Sequence, residues 1–192
     1  MNIDKLFIII FLLFTAVFAA QRTKETLMNP HKEEGEIKER ISFFLLSSVY
    51  VLVCSVAVLE LLLITSKINL TITFIGIFLY IFAFIPRLWA VRTLGRYYSP
   101  YIEIRKDHPL IIEGPYRLIR HPLYLGVVLE LIGFVLIPNS YYALLLAIFL
   151  YIPILLVRMT HEETAMIEKF GSEYLHYKKE VNALLPLKKY TR

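Results

Sequence analysis

The amino-acid sequence predicts an all-α integral membrane protein with about five transmembrane helices. Of its 192 residues, 57% are hydrophobic and only 19% are charged, whereas soluble domains are about 45–50% apolar and about 25% charged. Five apolar stretches approach the length of about 20 residues that a helix needs to cross a bilayer. The single cysteine, Cys54, excludes a disulfide framework and a cysteine-based zinc site.

Short polar connections separate the five predicted spans. The apolar stretches cover residues 6–20, 42–64, 68–91, 123–137 and 141–157. Only Pro138, Asn139 and Ser140 separate the last two stretches, and a Pro-Asn pair between apolar runs is typical of a turn. We therefore predict that residues 123–157 form a tight helical hairpin that crosses the bilayer and returns.

The basic residues predict the orientation of these spans. If the connecting segments alternate between the two sides, one side carries only Lys5 and Lys67 of the 21 Lys and Arg residues. The other side carries all the rest, because the apolar core of the third stretch ends near Ile85, ahead of Arg87. Cytoplasmic segments are enriched in Lys and Arg, so the N-terminus is expected outside and the C-terminus in the cytoplasm. This bias also explains the basic net charge without a nucleic-acid partner.

The first apolar stretch has a second interpretation as a secretory signal peptide. One lysine precedes it and Val17, Phe18 and Ala19 lie near its end, as in such peptides. Cleavage there would place residues 21–41, with five basic residues, on the outer side. Because that breaks the charge bias, the sequence favours a retained span.

Two carboxylates lie inside the predicted spans, where charged groups are costly and face protein, partners or water. Glu60 is near the end of its span, which favours a side chain that extends to the membrane surface. Glu130 is nearer the middle of the fourth span. A hydrogen bond across the helix bundle and a role in a functional site are both compatible with its position.

A first polar cluster lies directly ahead of the fourth span. Arg120 and His121 are followed by Pro122, which suits the first turn of a helix because its missing N–H costs nothing there. The amides at a helix N-terminus attract anions. The position therefore predicts binding of a carboxylate or phosphate, with a charged anchor at the membrane surface as the alternative.

A second polar cluster, formed by Arg158, Glu162 and Glu163, follows the fifth span. A C-terminal helix is expected to begin here, with an aromatic, partly apolar face at positions 163, 167, 170, 174 and 177. In an antiparallel hairpin, residue 121 lies level with residue 157, so both clusters should meet at the cytoplasmic end. Groups of both charges at an apolar opening are typical of a small-molecule site, and a zwitterionic ligand fits best.

Three motifs surround these clusters. They are Gly114-Pro-Tyr-Arg-Leu-Ile-Arg-His-Pro-Leu-Tyr-Leu-Gly126, Arg158-x-x-x-Glu162-Glu163 and Phe170-Gly-x-Glu-Tyr-x-x-Tyr177. Together they resemble the isoprenylcysteine carboxyl methyltransferases, and the related phospholipid N-methyltransferases share much of the pattern. The resemblance covers roughly residues 97–187. The shorter Arg-His-Pro-x-Tyr motif also occurs in integral-membrane sterol and steroid reductases, which use NADPH.

The resemblance implies an S-adenosyl-L-methionine site on the cytoplasmic side. The cofactor-binding residues that the resemblance implies are His108, Pro109, Leu110, Ile111, Tyr116, His121, Pro122, Leu123, Tyr124, Glu162 and Glu163. Arg120 is added to them because of its position just before the helix. Arg158 resembles the arginine beside the methyl acceptor, so Arg158 and Glu163 are the candidate catalytic residues. The chain then divides into a three-span membrane region, residues 1–96, and a cofactor-binding catalytic region, residues 97–192, which includes the last two spans and the C-terminal helix.

The implied acceptor is a lipophilic molecule in the bilayer, either a prenylcysteine-like carboxylate or a phospholipid. A carboxylate needs no general base, whereas an amine needs a proton acceptor such as Glu163 or His121.

Two further alternatives are an NADPH-dependent membrane reductase of the sterol type and a non-catalytic membrane scaffold. The Glu162-Glu163 pair disfavours the reductase, since a 2′-phosphate prefers Arg or Lys nearby. No His-x-x-x-His pair supports a metal ion, and no glycine-rich nucleotide fingerprint is present.

Overall fold

The computed structural model describes residues 3–27, 36–39, 41–65, 67–104 and 109–187. The α-helices are α1 (Ile3–Leu27), α2 (Ile41–Leu63), α3 (Leu70–Leu94), α4 (Pro122–Leu136), α5 (Tyr141–Leu146), α6 (Ile152–Phe170) and α7 (Ser172–Glu180). A π-helical segment, Ala147–Tyr151, joins α5 to α6. The strands β1 (Glu36–Glu39) and β2 (Ile102–Ile104) pair antiparallel.

Apolar helices dominate the fold, as the sequence predicts. In the part of the chain that the structure describes, three helices are long and apolar enough to cross a membrane: Ile41–Leu63, Leu70–Tyr97 and Tyr141–Phe170. Two shorter apolar helices cover Lys5–Ala20 and Pro122–Leu136. The five predicted stretches are thus all helical, and the number of spans and their orientation stay predictions. The two-stranded sheet was not predicted from the sequence.

The fourth predicted span, α4, is the central helix of the bundle. Every residue of α4 is buried or half-buried, unlike those of the longer helices, which expose many large apolar side chains. The ring of Phe134 lies 5.3 Å from the rings of both Phe11 and Phe18 of α1. The first apolar stretch is therefore a helix that packs into the core, and the exposed apolar faces of the outer helices suit a lipid environment.

Helices α3 and α4 pack with their backbones in contact. A Cβ atom on Gly133 would lie 2.6 Å from the backbone nitrogen of Tyr80 and 2.8 Å from the carbonyl oxygen of Gly76. A Cβ atom on Gly76 would lie 2.7 Å from the backbone nitrogen of Ile137. Small residues allow this close approach, which is a common source of helix association in membranes.

The predicted hairpin turn at residues 138–140 is present. Asn139 has a positive φ of 59°, which asparagine tolerates better than most residues. Its side chain accepts a hydrogen bond from the backbone N–H of Asn69 at 2.6 Å and donates one to Thr73 Oγ1 at 3.0 Å. The hydroxyl of Ser140 donates to the carbonyl of Ala57 at 2.9 Å. The turn is thus bound to the adjacent ends of α2 and α3.

Glu60 stabilises the start of α5 from within the bundle. Its carboxylate accepts hydrogen bonds from the backbone N–H groups of Tyr141, Tyr142 and Ala143 at 2.7, 3.0 and 3.2 Å. A negative charge is favourable at a helix N-terminus. The expectation that this side chain extends to the membrane surface is wrong, since only 4% of Glu60 is exposed: the free amides of α5 offer it buried donors.

Glu130 pairs with an arginine across the bundle. Its Oε2 atom lies 3.3 Å from Nη1 of Arg87 on α3, and both side chains are buried. Of the two interpretations that the sequence left open, the structure supports a hydrogen bond between helices. Pairing is the usual arrangement of a charged group inside a membrane protein.

The substitution Gly133→Ala should destabilise the protein by about 1–3 kcal/mol, because the new methyl group would collide with the backbone of α3. In a helix without that contact, alanine would instead be favoured over glycine by about 1 kcal/mol. Thermal unfolding in detergent micelles measures the difference. Ile75→Ala, at an exposed position of α3, should change stability by less than about 0.5 kcal/mol. A more stable Gly133→Ala variant would contradict the backbone contact.

Candidate active site

The segment ahead of α4 is held in place by the chain that follows α7. The backbone N–H groups of Arg120 and His121 donate to the carbonyls of Asn182 and Ala183 at 2.9 and 3.0 Å. Pro122 is the first residue of α4, the position predicted from its missing N–H. These contacts fix the Arg120 and His121 side chains at the end of α4 that faces α6 and α7.

The first group of site residues, here the Glu163 cluster, comprises Arg120, His121, Glu163 and Lys178. Oε1 of Glu163 accepts from Nε and Nη2 of Arg120 at 2.9 and 2.6 Å and lies 3.1 Å from Nε2 of His121. Oε2 of Glu163 lies 2.6 Å from Nζ of Lys178. The side chains of Arg120 and Glu163 are each 9% exposed. The Glu163 carboxylate therefore joins the start of α4 to α6 and α7.

The second group, here the Arg158 cluster, comprises Ser42, Pro100, Tyr124, Arg158 and Glu162. Arg158 donates from Nε to the hydroxyl of Tyr124 at 3.0 Å, from Nη1 to Oγ of Ser42 at 2.7 Å, and from Nη2 to the carbonyl of Pro100 at 2.7 Å. The Tyr124 hydroxyl in turn donates to Oε2 of Glu162 at 2.5 Å. Arg158 is thus oriented by three elements that are distant in sequence.

The two clusters are adjacent. The rings of His121 and Tyr124 stack with their centroids 5.4 Å apart, so a residue of one cluster contacts a residue of the other on the first turn of α4. Together the clusters place guanidinium, ammonium, imidazole and carboxylate groups around one end of the bundle. A ligand that carries both charges would find partners for each.

Tyrosines form the aromatic side of this region. The hydroxyl of Tyr177 donates to the backbone carbonyl of Tyr116 at 2.6 Å. Burial is the main cause that raises the pKa of Tyr116, Tyr174 and Tyr177. The nearby Glu162 and Glu163 charges raise the pKa of Tyr116 and Tyr174 further. The Arg120 charge lowers the pKa of Tyr174 and Tyr177, and at Tyr177 it outweighs the opposite effect of Glu163. The phenols therefore stay neutral around physiological pH and can act as hydrogen-bond donors.

The predicted C-terminal helix is interrupted. Gly171, with φ of 57°, ends α6 and precedes α7, because glycine readily adopts this left-handed conformation. Tyr174 and Tyr177 nevertheless pack together with Ile112 and Val181. The predicted aromatic face exists, and two helices carry it.

The structure brings most of the predicted site residues together. Arg120, His121, Tyr124, Arg158, Glu162 and Glu163 lie in the two clusters, and Tyr116 adjoins them through Tyr177. Pro122 is buried, Leu123, Leu110 and Ile111 are half-buried, and Pro109 is exposed. His108 lies outside the described residues. No group of three or more potential metal ligands occurs among the residues that the structure describes.

The side chains of the hairpin meet as the sequence predicts. The His121 side chain contacts Glu163 of α6, within the predicted meeting of Arg120 and His121 with residues 158–163. A π-helical segment, Ala147–Tyr151, lies between the turn and these residues, and its i→i+5 bonding takes up more residues per turn than an α-helix.

Sequence reasoning missed three residues of the clusters, Ser42, Pro100 and Lys178. Lys178 follows Tyr174 at helical spacing, and this could have placed it on the face of α7 that turns toward Glu163. Ser42 and Pro100 reach Arg158 over 116 and 58 positions of sequence. No local spacing could have revealed such contacts.

The geometry defines a class of protein: an α-helical membrane bundle with a buried site of mixed charge at one end. The model of the isoprenylcysteine carboxyl methyltransferase (ICMT) family matches residues 74–168, which include Arg120, Tyr124, Arg158 and Glu163.

Three relatives illustrate the likeness. A probable protein-S-isoprenylcysteine O-methyltransferase of Oryza sativa subsp. indica is 33% identical over 152 residues, which are 74% of this chain and 78% of the relative. Protein-S-isoprenylcysteine O-methyltransferase B of Arabidopsis thaliana is 29% identical over 79% of this chain and 81% of its own. The Saccharomyces cerevisiae protein-S-isoprenylcysteine O-methyltransferase is 34% identical over 59% of this chain and 48% of the relative. This chain belongs to the isoprenylcysteine carboxyl methyltransferase family, and it is a methyltransferase.

The variant Glu163→Gln should lower thermal stability in detergent markedly. The substitution leaves Arg120 buried without a carboxylate, and removing one partner of a buried ion pair costs about 3–5 kcal/mol. Lys178→Met should cost about 1 kcal/mol or less, since the Lys178 side chain is 41% exposed. Equal losses in the two variants would show that the Glu163 cluster does not hold the three helices together as described.

Proposed function

We propose that this protein transfers the methyl group of S-adenosyl-L-methionine to the carboxylate of a prenylcysteine-like acceptor that approaches from the bilayer. The observation that carries this proposal is the position of Arg158. Its guanidinium is buried at the point where the apolar part of the last long helix ends, next to Tyr124 and Glu162. The names of the rice, yeast and Arabidopsis relatives support the same substrate class.

The residues around the Glu163 cluster suit S-adenosyl-L-methionine by their chemistry. The cofactor carries a carboxylate, an ammonium group and an aromatic base, and the site offers basic groups, acidic groups and buried tyrosines close together. We propose that Arg120, His121, Tyr116, Tyr124, Glu162 and Glu163 would hold it, with His108, Pro109, Leu110, Ile111, Pro122 and Leu123 as further contacts.

Carboxylate methylation requires little proton chemistry from the protein. When bound, the cofactor supplies an electrophilic methyl group, which a carboxylate oxygen takes as the carbon–sulfur bond breaks, so no proton is moved. In this scheme Arg158 binds and orients the acceptor carboxylate, and correct orientation can supply much of the rate. The buried surroundings exclude water, which strengthens the electrostatic contacts and prevents side reactions.

The hydrogen bonds of the two glutamates favour the carboxylate acceptor over a phospholipid amine. An amine needs a proton acceptor near the reacting nitrogen. The Glu163 carboxylate already accepts from Arg120 and His121 and pairs with Lys178, and Glu162 accepts from Tyr124. A carboxylate in such a network is a poor base. Family membership does not favour the NADPH-dependent reductase or the non-catalytic scaffold.

We further propose that the site faces the cytoplasm. The segments on its side of the membrane carry eighteen of the 21 basic residues, with Arg87 paired inside the bundle, and this bias supports the orientation. Residues 97–192 then form the catalytic region, and residues 1–96 form the membrane region packed against it.

The direct experiment incubates purified protein with methyl-labelled S-adenosyl-L-methionine and either a prenylcysteine or an aminophospholipid. We expect label on the prenylcysteine that is released by base, because a methyl ester is base-labile and an N-methyl group is not. Base-stable label on the phospholipid would replace the proposal with N-methylation. NADPH oxidation without methyl transfer would favour the reductase.

Arg158→Met should lower kcat/KM for the prenylcysteine about 100-fold, a typical effect of removing one positioned charged donor. Binding of S-adenosylhomocysteine should change little, because Arg158 lies in the acceptor part of the site. Arg117→Met, which removes an exposed arginine of the short 3-10 helix Gly114–Arg117 ahead of α4, serves as the control and should retain activity. Full activity of Arg158→Met would refute the assignment of the acceptor position.

A further inference from the structure

We propose that Ser42 is a positioning residue for methyl transfer, which fixes the guanidinium of Arg158 where the acceptor carboxylate binds. The inference rests on the proposed function and deepens it. Ser42 lies on the first turn of α2, outside residues 74–168 that match the family model. It would make the N-terminal region a contributor to the acceptor end of the site.

The geometry of Arg158 supports this role. Its three nitrogens contact oxygens on three elements: Tyr124 on α4, Ser42 on α2, and Pro100 in the segment before β2. The contact from Nη1 to Ser42 Oγ, at 2.7 Å, is as short as any of the three. Arg158 is only 5% exposed. Because all three oxygens are neutral, these contacts orient the guanidinium without cancelling its charge.

A carboxylate that could compete for the guanidinium of Arg158 lies nearby on the same helix. Glu162 is one helical turn from Arg158 on α6, a spacing at which opposite charges attract. The Tyr124 hydroxyl joins the two, accepting from Nε of Arg158 and donating to Glu162. Nη1 and Nη2 donate instead to the neutral oxygens of Ser42 and Pro100. Without Ser42, the guanidinium can turn toward Glu162, which would reduce its availability for an acceptor carboxylate.

The test compares Ser42→Ala, Ser42→Thr and the matched control Ser48→Ala in the full-length protein. Ser48 lies on the same helix and is exposed. Ser42→Ala should lower kcat/KM for the prenylcysteine about tenfold, the size expected for a lost hydrogen bond to a charged group, chiefly through a higher KM for the acceptor. The dissociation constant of S-adenosylhomocysteine should change by less than about twofold. Ser42→Thr, which keeps the hydroxyl, should restore most of the activity.

The outcomes separate this inference from the proposed function. If the wild-type protein methylates prenylcysteine and Ser42→Ala is as active as Ser48→Ala, the inference is wrong and the proposed function stands. If Ser42→Ala weakens S-adenosylhomocysteine binding as much as acceptor turnover, Ser42 has a general structural role and the inference is also wrong. If the wild-type protein transfers no methyl group to prenylcysteine, the proposed function fails, and the inference fails with it.

Discussion

The backbone contact between α3 and α4 sets the positions of the other helices. Gly76 and Gly133 leave no room for a Cβ atom between the two helices, so α4 lies deep in the bundle and is surrounded by α1, α2 and α6. From this central helix the chain turns at Asn139, where hydrogen bonds to Asn69 and Thr73 fix the turn against α3. The direction of the last long helix follows from that turn. Its Arg158 and Glu163 consequently arrive beside the start of α4.

The two ends of the bundle differ in the hydrogen-bond partners of their buried polar groups. At the turn, backbone partners predominate: Glu60 accepts from the amides of α5, and Ser140 donates to the carbonyl of Ala57. At the opposite end, contacts between side chains predominate in the Glu163 and Arg158 clusters, although Arg158 also donates to the backbone carbonyl of Pro100. A group bound to backbone amides is fixed by the fold, whereas a network of side chains can exchange partners with a ligand. This difference supports placing the proposed chemistry at the end with the Glu163 and Arg158 clusters.

Local signals in the sequence were sufficient for the helices and for the meeting of the two clusters. Pro122 and the Pro138-Asn139 pair mark the ends of α4, and an antiparallel hairpin must then bring residues near 120 to residues near 160. The π-helical segment Ala147–Tyr151 was not predicted, because such a segment has no clear sequence signature. The break at Gly171 was hidden because the apolar spacing continues through it. The contacts of Ser42 and Pro100 with Arg158 depend on long-range packing, which local spacing does not reveal. The strands β1 and β2, with four and three residues, are too short to show an alternating pattern.

The π-helical segment Ala147–Tyr151 affects how the sequence of this chain should be aligned with those of its relatives. Such a segment amounts to one residue inserted into an α-helix, and one residue corresponds to a rotation of about 100° around the axis. A single-residue deletion there would turn Arg158, Glu162 and Glu163 away from α4 together, although none of them had been replaced. Two homologues could therefore agree at every one of these positions and still differ, by a one-residue gap in this segment, in which face of the helix reaches the site.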